Sequence, residues 1–469
     1  MVGRTLHDRL WDEHSILQQD DGAELLHLDR IVLHERSGPI ALRMLEDTGR
    51  EPFDPDLVFG TLDHVLDTRP DRASASIVPG GNEFIDSFRS AARKTGIRLF
   101  DVGDPRQGIA HVIAPEQGIV LPGLSLVCSD SHTCSLGGVG ALAWGIGISD
   151  MGVALATQTM TVTRPKTMRI NVTGALAPMV AAKDIILRLI GQIGASAGRG
   201  YMVEFTGDAI CSLSMEGRMT ICNMGVEFAA WSAIVAPDDA TISFFADRPF
   251  APSGADWDRA VSYWQSLRSD DDAVFDREVE LDASAIAPQI TWGTSPQHVT
   301  GIDEPVPDPS SFDDPGTRKS AESAMAYMGL EPGRPVEGLP VDAVFIGSCT
   351  NARLGDLRSA AEVVRGRKID PGLKMAIVVP GSAEVKRRAE AEGLDAIFKD
   401  AGFEWREPGC SLCFYAGGEA FPPGARVATT TNRNFENRQG PGIKSHLMSP
   451  VTAAASALVG RLTDPRKIV

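Results

Sequence analysis

Short apolar runs alternate with stretches of helical apolar spacing along most of this chain, and the pattern is clearest in its last third. The run at 341–346 predicts a buried strand, and apolar positions at 354–364 recur at the three- and four-residue intervals of a helix. Further strand-like runs follow at 375–379 and 426–430. Strands that alternate with helices favour parallel sheets with covered faces. In such sheets, ligands collect at the carboxyl ends of the strands.

The earlier part of the chain shows the same alternation with shorter runs. Apolar runs at 124–128 and 168–172 predict strands, and 181–192 has helical spacing. Proline, aspartate, serine and glycine are frequent between 295 and 340, which predicts an ordered connection with one short helix near 321–328. We therefore predict α/β domains at 1–165, 166–295 and 341–469, with a Pro-rich connection at 296–340.

Composition and charge narrow the possible partners of this 469-residue chain. Lys plus Arg is 45 and Asp plus Glu is 62, so the net charge is −17, which disfavours nucleic acid and anionic membranes as partners. No secretory signal opens the chain, and the longest uncharged stretch, Ser131–Ser149, contains five glycines. That stretch predicts a buried packing segment rather than a membrane span. Seven cysteines, an odd number, favour a reducing, cytoplasmic setting with metal-bound or free thiols.

Three cysteines lie in loops that are bounded by glycine or proline and follow predicted strands. Cys349 lies in Gly-Ser-Cys-Thr-Asn, and Cys410 and Cys413 form a CxxC after Pro-Gly. Thiolates are soft ligands that suit an iron–sulfur cluster or zinc. A set of three would leave one metal position of a cluster open for chemistry. A structural zinc site and a buried CxxC without metal remain open from the residues alone.

Histidines and carboxylates form a second group of candidates. Asp63 precedes His64, Asp130 lies two positions before His132, and His111 stands alone. A carboxylate beside an imidazole fixes its tautomer and raises its basicity, which suits proton transfer near neutral pH. Histidine and aspartate are also common neighbours on protein surfaces, so the pairs alone do not establish a site.

Two arginines lie in and just after the segment Asn-Arg-Asn-Phe that follows the last predicted strand. Arg433 and Arg438 are five positions apart, and guanidinium groups bind carboxylates with two parallel hydrogen bonds. The pair predicts a site for an anionic substrate; the alternative is a solvated turn.

These motifs, taken in order, resemble the aconitase superfamily, and within it the large subunits of the isopropylmalate isomerases. The resemblance covers nearly the whole chain, and its motifs are Asp130-Ser-His-Thr, Ser214-Met-Glu-Gly-Arg-Met-Thr, Cys222-Asn-Met-Gly, Gly347-Ser-Cys-Thr-Asn, Val379-Pro-Gly-Ser, Pro408-Gly-Cys-Ser-Leu-Cys and Asn432-Arg-Asn-Phe. It implies an aconitase-like fold of three α/β domains with mostly parallel sheets around a central cleft, and the swivel domain of single-chain relatives is not found here.

The resemblance also implies a site. Cys349, Cys410 and Cys413 would bind a [4Fe–4S] cluster whose fourth iron takes water or substrate. Expected proton-transfer groups are His64 supported by Asp63, His111 paired with Asp130, and His132 paired with Glu227. Expected substrate-binding groups are the arginines Arg433 and Arg438 and the amides of Asn223 and Asn432.

The implied activity is that of a hydro-lyase that isomerises 2-isopropylmalate to 3-isopropylmalate by dehydration and rehydration in leucine biosynthesis. The implied partners are a small dicarboxylate substrate and a small subunit that carries the swivel domain, in a heterodimer or a multiple of one. We therefore expect this chain alone to be inactive.

Several positions depart from the isomerase pattern by placing apolar or small residues where the pattern is polar: Ile40, Val65, Leu136, Gly152 and Val153. These departures keep a second hypothesis open, a related hydro-lyase for another 2-substituted malate or maleate, such as citramalate or a bulkier alkylmalate. A hypothesis of another class is a non-catalytic metal-binding protein, although no basic and aromatic patch supports RNA binding.

Overall fold

The structure is a computed structural model that describes residues 3–70, 72 and 75–468. The chain forms two compact units and passes between them several times. The first unit comprises Met1–Leu66, Gly80–Thr173 and Gly198–Leu281; the second comprises Asp67–Pro79, Gly174–Ala197 and Asp282–Val469. The predicted division into three domains and a connection stays a prediction.

A five-stranded sheet organises the first unit. All its neighbouring strands pair in parallel, in the order Arg98–Phe100, Val58–Thr61, Arg30–His34, Ser125–Cys128 and Leu142–Gly145. The apolar side chains of its central strand are buried, as expected for a parallel sheet that is covered on both faces. The carboxyl ends of three neighbouring strands therefore bring residues 35, 62–64 and 129–130 to one edge.

Two further sheets belong to this unit. One has the order Ser232–Val235, Tyr201–Thr206, Lys166–Thr173 and Arg277–Asp282, and its first three strands are parallel. The other is antiparallel, with the order Ser15–Gln18, Ala23–His27 and Thr159–Thr163. The α-helices of the unit are Leu6–His14, Gly38–Asp47, Gly81–Thr95, Ala110–Glu116, Ile148–Thr157, Asp208–Cys211, Met215–Asn223, Asp239–Phe245 and Ala255–Ser266.

Much of the long uncharged stretch is buried, as its glycines predicted, whereas Gly145 and residues 147–149 at its end are exposed. Its first part, Ser131–Val139, forms consecutive 3₁₀ turns whose residues are buried from His132 onward. A Cβ atom on Gly137 would lie 1.7 Å from the carbonyl oxygen of Ala233, so only glycine allows the strand Ser232–Val235 to approach this closely. Within the part of the chain that the structure describes, no helix is long and apolar enough to cross a membrane.

A second parallel sheet organises the other unit. Its five strands follow the order Glu404–Trp405, Met375–Val378, Ala343–Ile346, Arg426–Thr429 and Lys444–Leu447. An antiparallel pair, Gln289–Thr291 and Val299–Gly301, also belongs to this unit. Its α-helices are Ala182–Ile193, Pro315–Met328, Leu354–Val364, Ala383–Ala391, Leu394–Ala401 and Pro450–Val459. The predicted α/β class with mostly parallel sheets is confirmed.

Candidate active site

Asp63 and His64 occupy the turn after the strand Val58–Thr61. The Nδ1 atom of His64 lies 2.5 Å from Oδ1 of Asp63, and the backbone N–H of Ala110 donates to Oδ2 of Asp63 at 3.0 Å. Asp63 is fully buried, while His64 keeps part of its side chain accessible. The carboxylate of Asp63 therefore fixes the Nδ1 side of the imidazole, and Nε2 lies on the opposite side of the ring.

Asp130 is the centre of this histidine group. Its Oδ2 lies 3.1 Å from Nε2 of His64, and its Oδ1 lies 3.3 Å from Nε2 of His111 and 3.4 Å from Nδ1 of His132. The backbone N–H of His132 also donates to Oδ1 at 2.7 Å. Nε2 of His132 lies 2.8 Å from Oε1 of Glu227. The structure thus brings together all six of the predicted proton-transfer residues.

The charges in this group stabilise one another. Burial raises the pKa of Asp130, but hydrogen bonds from His111, His132 and His64 outweigh it and hold that pKa well below the usual value. Burial lowers the pKa of His64, but the charge of Asp63 and the hydrogen bond with Asp130 raise it well above 6.5. These neighbours therefore favour the cationic form of His64, which suits a proton donor.

Two residues that the sequence analysis did not select complete this group. The ring of His34 stacks on that of His64, with centroids 4.1 Å apart and planes 24° apart. Burial, with the charge of His64, lowers the pKa of His34 to about 4, so its ring is neutral. Glu35 is fully buried and accepts hydrogen bonds from the backbone of residues 63–65. The sequence did contain an indication of these two residues, because His34-Glu35 lies at the end of a strand just as Asp63-His64 follows one.

Asn223 is the last residue of the helix Met215–Asn223. Its side chain is fully buried, and its Nδ2 donates to Oγ of Ser135 at 2.7 Å. The Sγ–H of Cys134 points to the backbone carbonyl of the same asparagine at 3.6 Å. These contacts hold the helix against the Ser131–Val139 segment that carries His132.

The three predicted sulfur ligands belong to the second unit, and all are buried, with 6–8% of each residue exposed. Cys349 follows the strand Ala343–Ile346, and Ser348 beside it adopts a left-handed backbone with φ of 79°. The Oγ of Ser348 lies 3.2 Å from Sγ of Cys413 and 4.0 Å from Sγ of Cys349. One hydroxyl therefore links the two loops.

The CxxC loop is anchored by the residue between its cysteines. Leu412 packs into the core of the parallel sheet with Phe345, Val427 and other apolar side chains. The backbone carbonyl of Leu412 accepts from Nε2 of Gln439 at 2.7 Å, and the N–H of Cys413 donates to the carbonyl of Cys410 at 3.0 Å. This anchoring fixes the direction of both sulfurs.

The donor set fits a multi-iron cluster. Among the residues that the structure describes, one group of metal-ligating side chains has ligand atoms within 4.8 Å of one another, and it contains no cysteine. Thiolates are soft ligands that suit the irons of such a cluster. Nδ2 of Asn432 donates to Sγ of Cys349 at 3.4 Å, and hydrogen bonds to sulfur are typical of cluster ligands. Cys349, Cys410 and Cys413 are the residues able to hold such a group.

The predicted arginines follow the strand Arg426–Thr429. Arg433 is half-buried between buried asparagines at 432 and 434. The guanidinium of Arg438 lies 5.3 Å from the ring centroid of Phe414 and 5.4 Å from that of Phe435. Stacking on aromatic rings orients a guanidinium while leaving its N–H groups available for a carboxylate.

Lys183 is a further residue that the sequence analysis missed. It is fully buried in the first turn of the helix Ala182–Ile193, and its Nζ donates to the backbone carbonyls of Thr430 and Thr431. Burial lowers its pKa to about 7, although nearby Asp356 opposes the change. A lysine next to an aspartate in the first turn of a mostly apolar helix was the available signal.

Comparison with known proteins identifies the family of this chain. The sequence profile of the aconitase family (aconitate hydratase) matches residues 8–460. The chain is 53% identical over 464 residues to 3-isopropylmalate dehydratase large subunit 1 of Bradyrhizobium diazoefficiens, a match that covers 99% of this chain and 97% of the relative. The chain belongs to the aconitase family.

Proposed function

We propose that this chain is the large, catalytic subunit of an iron–sulfur hydro-lyase that isomerises 2-isopropylmalate to 3-isopropylmalate in leucine biosynthesis. The observation that carries the proposal is the 53% identity, over 99% of the chain, to a relative that is named 3-isopropylmalate dehydratase large subunit 1. The reaction removes water and restores it at the neighbouring carbon, so it needs an acid, a base and a site for two carboxylates.

Cys349, Cys410 and Cys413 are the proposed ligands of a [4Fe–4S] cluster. When bound, such a cluster supplies a Lewis-acid iron that makes hydroxide a better leaving group. Ser348 and Asn432 direct their polar hydrogens at two of the three sulfurs, which stabilises the negative charge of thiolates.

His64 is the proposed donor of the proton that the departing hydroxyl needs. Its cationic form is favoured by Asp63 and Asp130, and a group that is protonated at neutral pH can act as a general acid. Asp130 holds His111 and His132 in one hydrogen-bonded group, and Glu227 fixes the second nitrogen of His132. These pairs keep each imidazole in a single orientation between proton transfers.

Arg433 and Arg438 are the proposed carboxylate-binding groups. The chain has a net charge of −17, so an anionic substrate is captured by local cations rather than by the overall field. Neutralising a carboxylate beside the reacting carbon also stabilises the carbanion-like intermediate of the dehydration.

The proposed partner is a small subunit, since the relative is named as a large subunit. We place the assembly, a heterodimer or a multiple of one, in the cytoplasm, where cysteines outside disulfides stay reduced.

A related hydro-lyase for a bulkier 2-alkylmalate is the second candidate, and the surface of the first unit favours it. Ile40 and Val153 are 43% and 55% exposed, and Gly152 lies where a Cβ would touch Met44 at 3.5 Å. Exposed apolar side chains suit contact with a larger alkyl group.

One experiment tests both candidates. The chain and its small subunit, reconstituted anaerobically with iron and sulfide, are offered 2-isopropylmalate, citramalate, maleate and bulkier 2-alkylmalates. We expect fastest turnover of 2-isopropylmalate, together with broad visible absorption and bound iron. Cys410→Ser should abolish both, whereas Cys211→Ser, at an exposed cysteine elsewhere, should change neither. Turnover of the other substrates alone would favour the second candidate, and bound zinc without iron would contradict both.

A further inference from the structure

The carboxylate of Glu35 lies against the backbone of the turn that carries Asp63 and His64. The N–H of Asp63 donates to Oε2 at 3.1 Å, and the N–H groups of His64 and Val65 donate to Oε1 at 2.7 and 2.6 Å. Three consecutive backbone N–H groups thus converge on one anion, which is the arrangement of an anion nest. Because Glu35 is fully buried, water does not compete for these hydrogen bonds.

Glu35 also belongs to the charge group around His64. His64 is faced by Asp63 from its own turn, by Asp130 from the turn after the strand Ser125–Cys128, and by His34 and Glu35 from the end of the strand Arg30–His34. Burial, with the charge of Asp63, raises the pKa of Glu35 to about 7, while the charge of His64 opposes that rise. By reciprocity, an ionised Glu35 favours the protonated form of His64.

We propose that Glu35 is a positioning residue for His64: its carboxylate fixes the turn that carries the Asp63–His64 pair and supplies a further negative charge that keeps the imidazole protonated. This inference rests on the proposed function, in which His64 donates the proton to the departing hydroxyl. Glu35 acts through the backbone and through its charge, without touching the substrate.

The same side chains do not form a good metal site. Ligand atoms of His34, Glu35, Asp63 and His64 do lie within 4.8 Å of one another. However, imidazole lone pairs lie in the ring plane, and the rings of His34 and His64 are stacked rather than pointed at one place. The oxygens of Glu35 already accept three N–H groups. Hydrogen bonding within the protein therefore accounts for the group.

The direct test is Glu35→Gln in the complete enzyme with its small subunit. The amide keeps the volume but turns an NH₂ group toward backbone donors, and it removes the charge. We expect kcat to fall about 10- to 100-fold, as for a small displacement of a catalytic group, with KM nearly unchanged. We also expect the basic limb of the rate–pH profile to move down by about one pH unit, because loss of a nearby negative charge lowers the pKa of an imidazole.

Glu204→Gln is the matched control. Glu204 is also a buried glutamate of the first unit, and burial raises its pKa to about 7 as well, but it lies on the strand Tyr201–Thr206 and accepts from Ser269. This variant should leave kcat and the basic limb unchanged. Glu35→Asp keeps the negative charge but moves it back by one methylene group. We therefore expect a smaller loss of kcat than in Glu35→Gln, with the basic limb of the rate–pH profile at its original pH.

A second readout does not depend on turnover. The full chain is labelled with ¹³C-histidine, and the NMR signal of His64 is identified by its disappearance in His64→Gln. The pH midpoint of the His64 titration is then followed by NMR. We expect a midpoint about one pH unit lower in Glu35→Gln and an unchanged midpoint in Glu204→Gln. An unmoved midpoint overturns the proposal, even when kcat falls. Should Glu35→Gln fail to fold, a wild-type kcat in Glu35→Asp would overturn it. If no malate is turned over, the proposed function fails, and the NMR midpoint still decides the role of Glu35.

Discussion

His64 illustrates how single residues in this protein obtain their properties from burial and from neighbours. Its imidazole lies between the carboxylates of Asp63 and Asp130, which outweigh the desolvation that would otherwise neutralise it. The ring of His34, stacked against it, is neutral for the opposite reason: it is buried without a carboxylate partner and next to a cation. The pKa values of two histidines in contact are thus moved in opposite directions, so the protonated form is favoured at His64 and disfavoured at His34.

Replacing Asp63 by asparagine should shift the pH dependence of the reaction. His64 must be protonated to act as an acid, so the rate falls as pH rises through its pKa, which Asp63 raises. Without that charge the fall begins at lower pH, and kcat at pH 8 decreases by about 10²-fold or more. Rate–pH profiles check this. Asp29→Asn removes the carboxylate 2.7 Å from His14 in the same unit and should leave the profile unchanged. A shift of the same size in both variants would contradict the assignment.

A second prediction at this scale concerns Asn432, whose amide donates to the sulfur of Cys349. Asn432→Ala leaves the three sulfurs in place but removes this hydrogen bond, so the affinity for iron should fall by about 10- to 100-fold. Iron content after dialysis against a chelator measures the change. Asn171→Ala, at an asparagine that bonds to Glu280 in the first unit, is the control and should retain iron normally. Equal iron retention in both variants would show that the hydrogen bond from Asn432 does not affect iron binding.

At the scale of elements, the two parallel sheets explain why the candidate residues cluster. Asp63, Asp130 and Cys349 follow strands inside these sheets, whereas Cys410 and Cys413 come after the edge strand Glu404–Trp405. The carboxyl ends of parallel strands are where ligands collect. Helices then secure these turns: the first turn of the helix Ala182–Ile193 places Lys183 on the carbonyls of Thr430 and Thr431, immediately before Asn432. Position in the sheet brings the residues together, and hydrogen bonds between elements, such as those of Lys183, hold them in place.

Lys183→Met should therefore destabilise the loop after Arg426–Thr429. Two buried carbonyls would lose their donor, which costs about 1–3 kcal/mol in the free energy of unfolding. Urea unfolding of the full chain measures this loss. Lys399→Met, at a lysine that is 54% exposed and paired with Asp395, should change the free energy by less than about 0.5 kcal/mol. Equal stability of the two variants would show that the buried lysine does not hold the loop.

At the scale of the whole molecule, the histidine group and the cysteine group belong to different compact units of one chain. The net charge of −17 favours solubility and disfavours nucleic acid, which leaves the few buried cations as the local attractors of an acidic substrate. The relative is named as a large subunit, and the proposal of a second chain rests on that name.

The reconstituted chain alone should therefore show no turnover of 2-isopropylmalate, and addition of its small subunit should restore it. Titrating the small subunit while following alkene formation by ultraviolet absorption measures the effect. The physical reason is that a missing catalytic group lowers the rate by orders of magnitude without preventing the cluster from binding. Iron content, the control, should be equal with and without the small subunit. Full activity of the single chain would contradict the proposed assembly.

Much of this fold was predictable from the sequence because it depends on local pattern. Apolar runs at 341–346 and 375–379 predicted the strands Ala343–Ile346 and Met375–Val378, and spacing at 181–192 predicted the helix Ala182–Ile193. The soft-ligand chemistry of the cysteine loops was also evident, because it depends on residue type and on position after a strand.

By itself, then, the sequence determined the α/β class, the aconitase-family motifs and the residue types available for chemistry. Tertiary structure decided which residues meet: in the first sheet the strand Ser125–Cys128 pairs with Arg30–His34 rather than with the strand before it in the chain, so nothing local indicated that Asp130 would reach His64. It also decided protonation, because a pKa depends on burial and on charges that only folding brings close. The periodicity of apolar residues specifies helices and strands. The distances between the ends of those strands are set only when the sheet has formed.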